Sequence, residues 1–177
     1  MNIANILTMS RIVMVPIIAV LMVYESFWAS IAAAAIFGLG TFTDFLDGYL
    51  ARNYNMESNL GKLLDPLADK LMVCTILIFL IPMGRAPAWI VAVIIGRELA
   101  VTGIRAIASE QNVIIAASWL GKYKTAFQCT AIIGLLIHYT ILGIEFQKAG
   151  EFFLLIACFF TIWSGWDYIY SHIKAVA

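Results

Sequence analysis

Charge is what this chain has least of. Only 12% of its 177 residues are charged, against 63% hydrophobic, whereas a soluble domain carries roughly 25% charged residues. With a mean hydropathy of +0.93, a soluble globular fold is excluded, and the chain reads as one integral membrane domain over residues 1–177. Net charge of one sign is also missing: 11 Lys plus Arg balance 11 Asp plus Glu, which argues against a nucleic-acid partner. The three cysteines, Cys74, Cys129 and Cys158, stand singly in apolar runs without a CxxC or a nearby histidine; they read as small buried hydrophobes. A cleavable leader lacks its last element. Arg11 followed by residues 12–23 imitates one, but Tyr24-Glu25-Ser26-Phe27-Trp28 offers no small-x-small cleavage site, so residues 12–23 read as part of a retained helix. No internal repeat or low-complexity segment is present.

What is there is apolar sequence in pieces of membrane-spanning length. About 20 apolar residues cross a bilayer as a helix. Six candidates occur, at about 9–25, 28–53, 59–81, 87–107, 119–143 and 151–173. The breaks carry turn chemistry: Glu25-Ser26, Asn53-Tyr54-Asn55, Pro82-Met83-Gly84, residues 109–112 and residues 145–150. Residues 2–8 read as a short helix lying in the interface. The expected fold class is therefore an all-α integral membrane protein: six transmembrane helices behind a short N-terminal interfacial helix. An even number of spans puts both termini on one side, with Arg11, Arg52, Lys62, Arg105, Lys122, Lys124 and Lys174; the other side keeps Arg85 and Lys148. The positive-inside rule makes the richer side cytoplasmic. Trp28, Trp89, Trp119, Trp163 and Trp166 lie mostly near span ends, as interfacial anchors do.

Against this background four carboxylates stand out. They occur as Asp44-x-x-Asp47-Gly48-x-x-Ala51-Arg52, then eight residues, then Gly61-x-x-x-Asp65-x-x-x-Asp69. An Asp near a helix centre costs about 2.5–3.5 kcal/mol to insert, so four together demand a compensating positive charge. Spans two and three form a hairpin turning near 53–58, and equal rise places residues equidistant from the turn at equal depth. Asp44 with Asp69, and Asp47 with Asp65, pair about position 56.5. The i,i+3 and i,i+4 spacings put each pair on one helix face. Gly48, Ala51 and Gly61 allow close approach and leave room for a ligand. Asp69 falls about ten residues past the turn, or ~15 Å deep, in the cytoplasmic half of the bilayer. Pro66 reads as a kink. An all-oxygen donor set selects hard cations, Mg²⁺ or Mn²⁺, and two metals at one carboxylate cluster suit phosphoryl chemistry. Arg52 is a natural diphosphate partner. Carboxylates paired with basic residues of other spans would be the structural alternative.

These residues match every fixed position of the CDP-alcohol phosphotransferase signature, a pattern of eight residues at fixed spacing. The resemblance implies six-helix membrane proteins, homodimeric, that bind two divalent cations and displace CMP from a CDP-linked donor with an alcohol. Carried to this chain, it makes Asp44, Asp47, Asp65 and Asp69 the metal ligands and Asp69 the general base. Gly48, Ala51, Arg52, Ser58 and Gly61 fall in the CDP-donor site. The opening Ala4-Asn5-Ile6-Leu7-Thr8-x-x-Arg11 resembles a family segment near the cytidine pocket, which adds Asn5 and Thr8.

The second half resembles the family members whose acceptor is glycerol 3-phosphate and whose donor is CDP-diacylglycerol. The matching stretches are Gly96-Arg97-Glu98 through Arg105, Ser118-Trp119-Leu120-Gly121-Lys122-x-Lys124-Thr125-x-x-Gln128, and Thr161-Ile162-Trp163-Ser164. The residues agree with an anionic acceptor: Arg105, Lys122 and Lys124 collect at the cytoplasmic ends of spans four and five, where a basic mouth concentrates a phosphate. Arg97 lies about ten residues into span four; it must face the polar pocket or pair with a carboxylate. His138 and His172 read as structural or interfacial rather than as ligands. The expectation is phosphatidyl transfer from CDP-diacylglycerol to glycerol 3-phosphate, among membrane lipids, at the cytoplasmic face of the inner membrane. Asp69 either takes the proton of the attacking 1-hydroxyl or only orients it, since a metal-bound carboxylate is a weaker base. Sibling enzymes making cardiolipin, phosphatidylserine or phosphatidylinositol remain open, as does an ion-coupled transporter.

Overall fold

The computed structural model describes residues 3–54, 59–110 and 119–176, and the side chains of 9–43, 70–108 and 119–170. Six helices appear among them: α1 (Ile3–Val23), α2 (Phe27–Tyr54), α3 (Asn59–Leu80), α4 (Ala88–Glu110), α5 (Trp119–Ile137) and α6 (Phe146–Val176). A two-residue hairpin, β1 (Thr140–Ile141) with β2 (Ile144–Glu145), joins α5 to α6.

The helix ends follow local chemistry. Ser26 caps α2, its hydroxyl accepting from the Ala29 amide at 3.3 Å. At the end of α3, Gly84 takes a φ of 68°, and the Arg85 amide reaches back to the Leu80 carbonyl at 3.0 Å, a left-handed C-terminal stop. Two boundaries depart from the sequence reading. Residues 3–8 do not form a separate interfacial helix: α1 runs unbroken from Ile3 through Pro16. The α5–α6 break falls at 138–145, not 145–150. There His138, Leu142 and Gly143 have φ of 44°, 52° and 80°, and Leu142-Gly143 is the two-residue turn that a tight hairpin needs. Gly150, read as a breaker, sits inside α6 because α5 presses against it.

The helices close a ring. α1 packs on α2 and α3, α2 on α5, α5 most extensively on α6, and α6 on α4, which rests lightly on α3. Phe37, Ile18, Met72, Ile76, Ile94, Ile132, Leu135 and Leu154 are fully buried. All lie in the half of the ring remote from the α2–α3 connection. Toward the half nearer that connection, Arg11, Glu98, Lys124, Gln128, Thr161 and Ser164 are buried beside Val101, Ala108 and Tyr168. Outward faces are apolar, with Val13, Val20, Leu39, Phe42, Ile78, Leu99, Phe152 and Phe159 exposed. Among the described residues one stretch, Phe146–Tyr170, is long and apolar enough to span a membrane alone; Met9–Val23, Phe27–Thr43 and Lys70–Leu80 are shorter apolar pieces. Together with the apolar exterior this is the architecture of an all-α membrane protein.

A polar clasp closes the remote end. The Arg85 guanidinium donates to His138 Nε2 at 3.3 Å and lies 3.8 Å from the Glu25 carboxylate. The Tyr139 hydroxyl donates to the Glu25 carbonyl, and Gln147 donates to the Arg85 carbonyl and to Glu151. With Nδ1 on the Leu136 carbonyl, the neutral ring offers Nε2 as acceptor. Burial is the main cause holding His138 below its ordinary value of 6.5; Arg85 acts the same way, while the Leu136 bond and Glu25 oppose it. The unfolded chain therefore takes up the proton first, so this contribution to stability is present above pH 6.5 and is lost as pH falls through the folded value. In detergent, the thermal midpoint should fall more between about pH 8 and about pH 5 for wild type than for His138→Gln. Equal falls would remove His138 as the cause.

Candidate active site

The α2–α3 hairpin carries the aspartates. α2 ends at Tyr54 and α3 begins at Asn59, so the connection is centred on 56.5, the position about which the aspartates pair. One close approach links the two helices beside α1. A Cβ added to Gly40 would meet Met72 Sδ at 3.4 Å and Met14 Sδ at 3.3 Å. Gly40 and Met72 are equidistant from the connection to within one residue. One turn nearer to it come Asp44 on α2 and Asp69 on α3, then Asp47 and Asp65. Gly40 lets α1, α2 and α3 converge just above these positions. Thr41 and Thr43 turn their hydroxyls to backbone carbonyls of their own helix, so neither competes for a ligand.

Asp44, Asp47, Gly48, Ala51 and Arg52 are placed on α2, Gly61, Asp65 and Asp69 on α3, and Asn5 and Thr8 on α1, but their side chains lie outside those described. Ser58 lies outside the described residues altogether, and Pro66 is among the positions whose side chain is not described. Among the described residues no group of three His, Cys, Asp or Glu gathers elsewhere to offer a rival metal site. Four carboxylates on successive turns of α2 and α3, helices that both pack on α1, are a donor set of the chemistry that fits hard divalent cations.

The opposite wall is a charged network on α4, α5 and α6. Glu98 accepts from the Lys124 ammonium and from Arg97 Nη1 at 3.2 Å. Arg97 Nη2 donates to the Ser164 hydroxyl at 3.0 Å. Two turns further along α4, Arg105 Nε lies 3.3 Å from the Tyr168 hydroxyl, its guanidinium over the ring at 5.4 Å. Lys70, next to Asp69 in sequence, donates to the Thr102 hydroxyl, and Thr102 in turn donates to the Glu98 carbonyl at 2.6 Å. Charges at such depth persist only when paired, and Glu98 is the one buried carboxylate among the described residues.

Of the predicted acceptor residues, Arg97 and Lys124 are brought together on Glu98. Arg105 stands along the same α4–α6 seam. Lys122 is set apart: two residues from Lys124, it occupies the other face of α5, exposed, with its ammonium 4.5 Å from the Trp119 ring. Sequence reasoning passed over Lys70, Thr102, Ser164 and Tyr168 as members of this wall. A lysine inside an apolar run beside Asp69 was the available signal for Lys70; Thr102 and Ser164 lie in stretches that carry the resemblance, and Tyr168 shows itself only through packing. Gln128 is buried one turn from Lys124, and its Nε2 finds no hydrogen-bond partner among the described residues.

Residues 1–163 match the CDP-alcohol phosphatidyltransferase family, and the chain belongs to it. A relative from Bacillus subtilis (strain 168), named CDP-diacylglycerol–glycerol-3-phosphate 3-phosphatidyltransferase, is 39% identical over 99% of this chain and 97% of its own length. One of the same name from Rickettsia typhi is 36% identical over 94% of each. A Mycobacterium tuberculosis (strain H37Rv) relative, named probable phosphatidylglycerophosphate synthase, is 39% identical over 95% of this chain and 80% of its own.

Proposed function

We propose that this protein transfers the phosphatidyl group of CDP-diacylglycerol to glycerol 3-phosphate, giving phosphatidylglycerophosphate and CMP. One observation supports this acceptor above others: the cationic wall of buried Lys124 and partly buried Arg97, with Arg105 and Lys70 beside it, in the half of the bundle that also carries the aspartates. Glycerol 3-phosphate brings about two negative charges near neutral pH, and a low-dielectric site rewards charge complementarity far more than water does. The names of the full-length relatives agree with it.

The donor diphosphate belongs at the α2–α3 face, with Arg52, Gly48, Ala51, Ser58 and Gly61, and with Asn5 and Thr8 toward the cytidine. Asp44, Asp47, Asp65 and Asp69 would hold two divalent cations, Mg²⁺ or Mn²⁺, which when bound supply positive charge to the diphosphate oxygens. Arg97, Arg105 and Lys124 bind the acceptor phosphate and turn its 1-hydroxyl toward the donor. Asp69 receives or orients the hydroxyl proton as the oxygen attacks the phosphorus attached to diacylglycerol. The bond from that phosphorus to CMP breaks, and Arg52 steadies the leaving phosphate. The acyl chains remain in lipid. The same reading places six spans across the inner membrane, both termini and the active site toward the cytoplasm, and two copies in a homodimer.

A panel assay tests the acceptor. Purified protein with CDP-diacylglycerol should release CMP with glycerol 3-phosphate at least ~100-fold faster than with serine, inositol or phosphatidylglycerol. Release with one of those alcohols and none with glycerol 3-phosphate would overturn the assignment. Metal-dependent CMP release itself excludes a transporter.

A further inference from the structure

We infer that Glu98 is a positioning residue for the acceptor, holding the Lys124 ammonium where it meets the acceptor phosphate; this rests on the glycerol 3-phosphate reading above. The contacts form a chain from helix backbone to ammonium. Gly165 makes room for Arg97, since a Cβ there would stand 3.1 Å from Arg97 Cγ. Ser164, buried on the same turn of α6, fixes Arg97 Nη2 at 3.0 Å. Arg97 Nη1 and the Lys124 ammonium then meet on one oxygen of Glu98. The side chains of Glu98 and Lys124 keep 11% and 5% of their exposure, so neither can swing to water for a substitute partner.

Lysine is a point charge on a flexible four-carbon stem, whereas the arginine fork is planar and pre-organised. Of the two cations, Lys124 is therefore the one that needs a fixed anchor. Glu98 supplies it by tying α5 to α4 at a place where the two helices otherwise touch little. One carboxylate between two cations also leaves positive charge over, which a phosphate can satisfy. Glu98 meets the acceptor through Lys124 and makes no bond to reacting atoms.

A kinetic split tests this. Glu98→Gln should raise the KM for glycerol 3-phosphate about tenfold, with kcat within about twofold and the KM for CDP-diacylglycerol unchanged. Glu98→Asp, which keeps the charge but shortens the reach, should raise the acceptor KM only about threefold. In a Lys124→Met background, Glu98→Gln should add less than about twofold, because the interaction it serves is already gone. An unchanged or lowered acceptor KM, an equal rise in both KM values, or full multiplicativity with Lys124→Met would each overturn the role. Where the Gln variant fails to fold, the Asp variant decides by the same split. Loss of the glycerol 3-phosphate reading would show separately, as wild-type protein that releases no CMP with that acceptor.

Discussion

Asn in place of any one of Asp44, Asp47, Asp65 or Asp69 is expected to lower CMP release by about 10³-fold, the scale on which a lost electrostatic stabiliser acts. The expectation rests on charge. The two divalent cations proposed for this site would bring four positive charges, which four carboxylates would balance in a medium where unbalanced charge is costly. Asn keeps the shape and one oxygen but removes the charge, so affinity for a hard cation falls. The fold should survive, because the apolar core that holds α1, α2 and α3 together lies beyond Gly40 and Met72 and the change makes each helix cheaper to insert. Chelation of wild-type protein should reproduce the loss, and Mg²⁺ or Mn²⁺ should reverse it, whereas the Asn variants should recover only at much higher metal. A folded Asp variant with near-normal turnover would leave the ligand set. Asp69→Asn separates two roles: if it binds metal normally yet turns over slowly, Asp69 handles the hydroxyl proton; if metal binding falls in proportion, its work is coordination.

The legible part of this protein was the part written in charge. Carboxylates inside apolar runs declare themselves, and the helix ends at Tyr54 and Asn59 centre the connection at the position about which the sequence pairs them. Arg97 had to find a carboxylate or a pocket, and it found Glu98. What stayed hidden depended on which way neighbouring helices face. Lys122 and Lys124 look equivalent in sequence, but the 100° step per residue sends one outward over Trp119 and the other inward to Glu98. Gly150 looked like a break because glycine beside Glu145 and Lys148 resembles a loop. The true turn owes its place to positive φ at His138, Leu142 and Gly143, two of which are residues that give no such warning. The continuity of α1 was equally unreadable, since an interfacial helix and the first turns of a span have the same mixed composition.

Gly150→Leu is expected to abolish folded protein, the largest structural effect expected among the described glycines. A Cβ at Gly150 would fall 2.8 Å from both the backbone nitrogen and the Cγ of Leu135, and one at Gly134 would fall 2.9 Å from the Cα of Gly150. The obstacle is backbone on both sides, so no rotamer change relieves it. α5 and α6 would have to separate along the most extensive helix pair in the bundle. Overpacking in a well-filled core costs about 1–3 kcal/mol when side chains can yield, and here they cannot; even Gly150→Ala should cost about 3 kcal/mol. Gly103→Ala is the matched control: nothing lies within 4 Å of its added methyl, and removing backbone freedom from a helix interior should be neutral or stabilising by about 0.5–1 kcal/mol. Thermal midpoints and size-exclusion profiles in detergent compare them, and a Gly150→Ala midpoint equal to wild type would show that the seam is slack. The consequence reaches the chemistry, because α5 carries Lys124 and α6 carries Ser164, which holds Arg97. With the seam opened, the two cations of the acceptor wall would no longer share one carboxylate. Folded Gly150→Ala protein should therefore lose more of its hold on glycerol 3-phosphate than on CDP-diacylglycerol, whose proposed site on α2 and α3 stands on the other side of the ring.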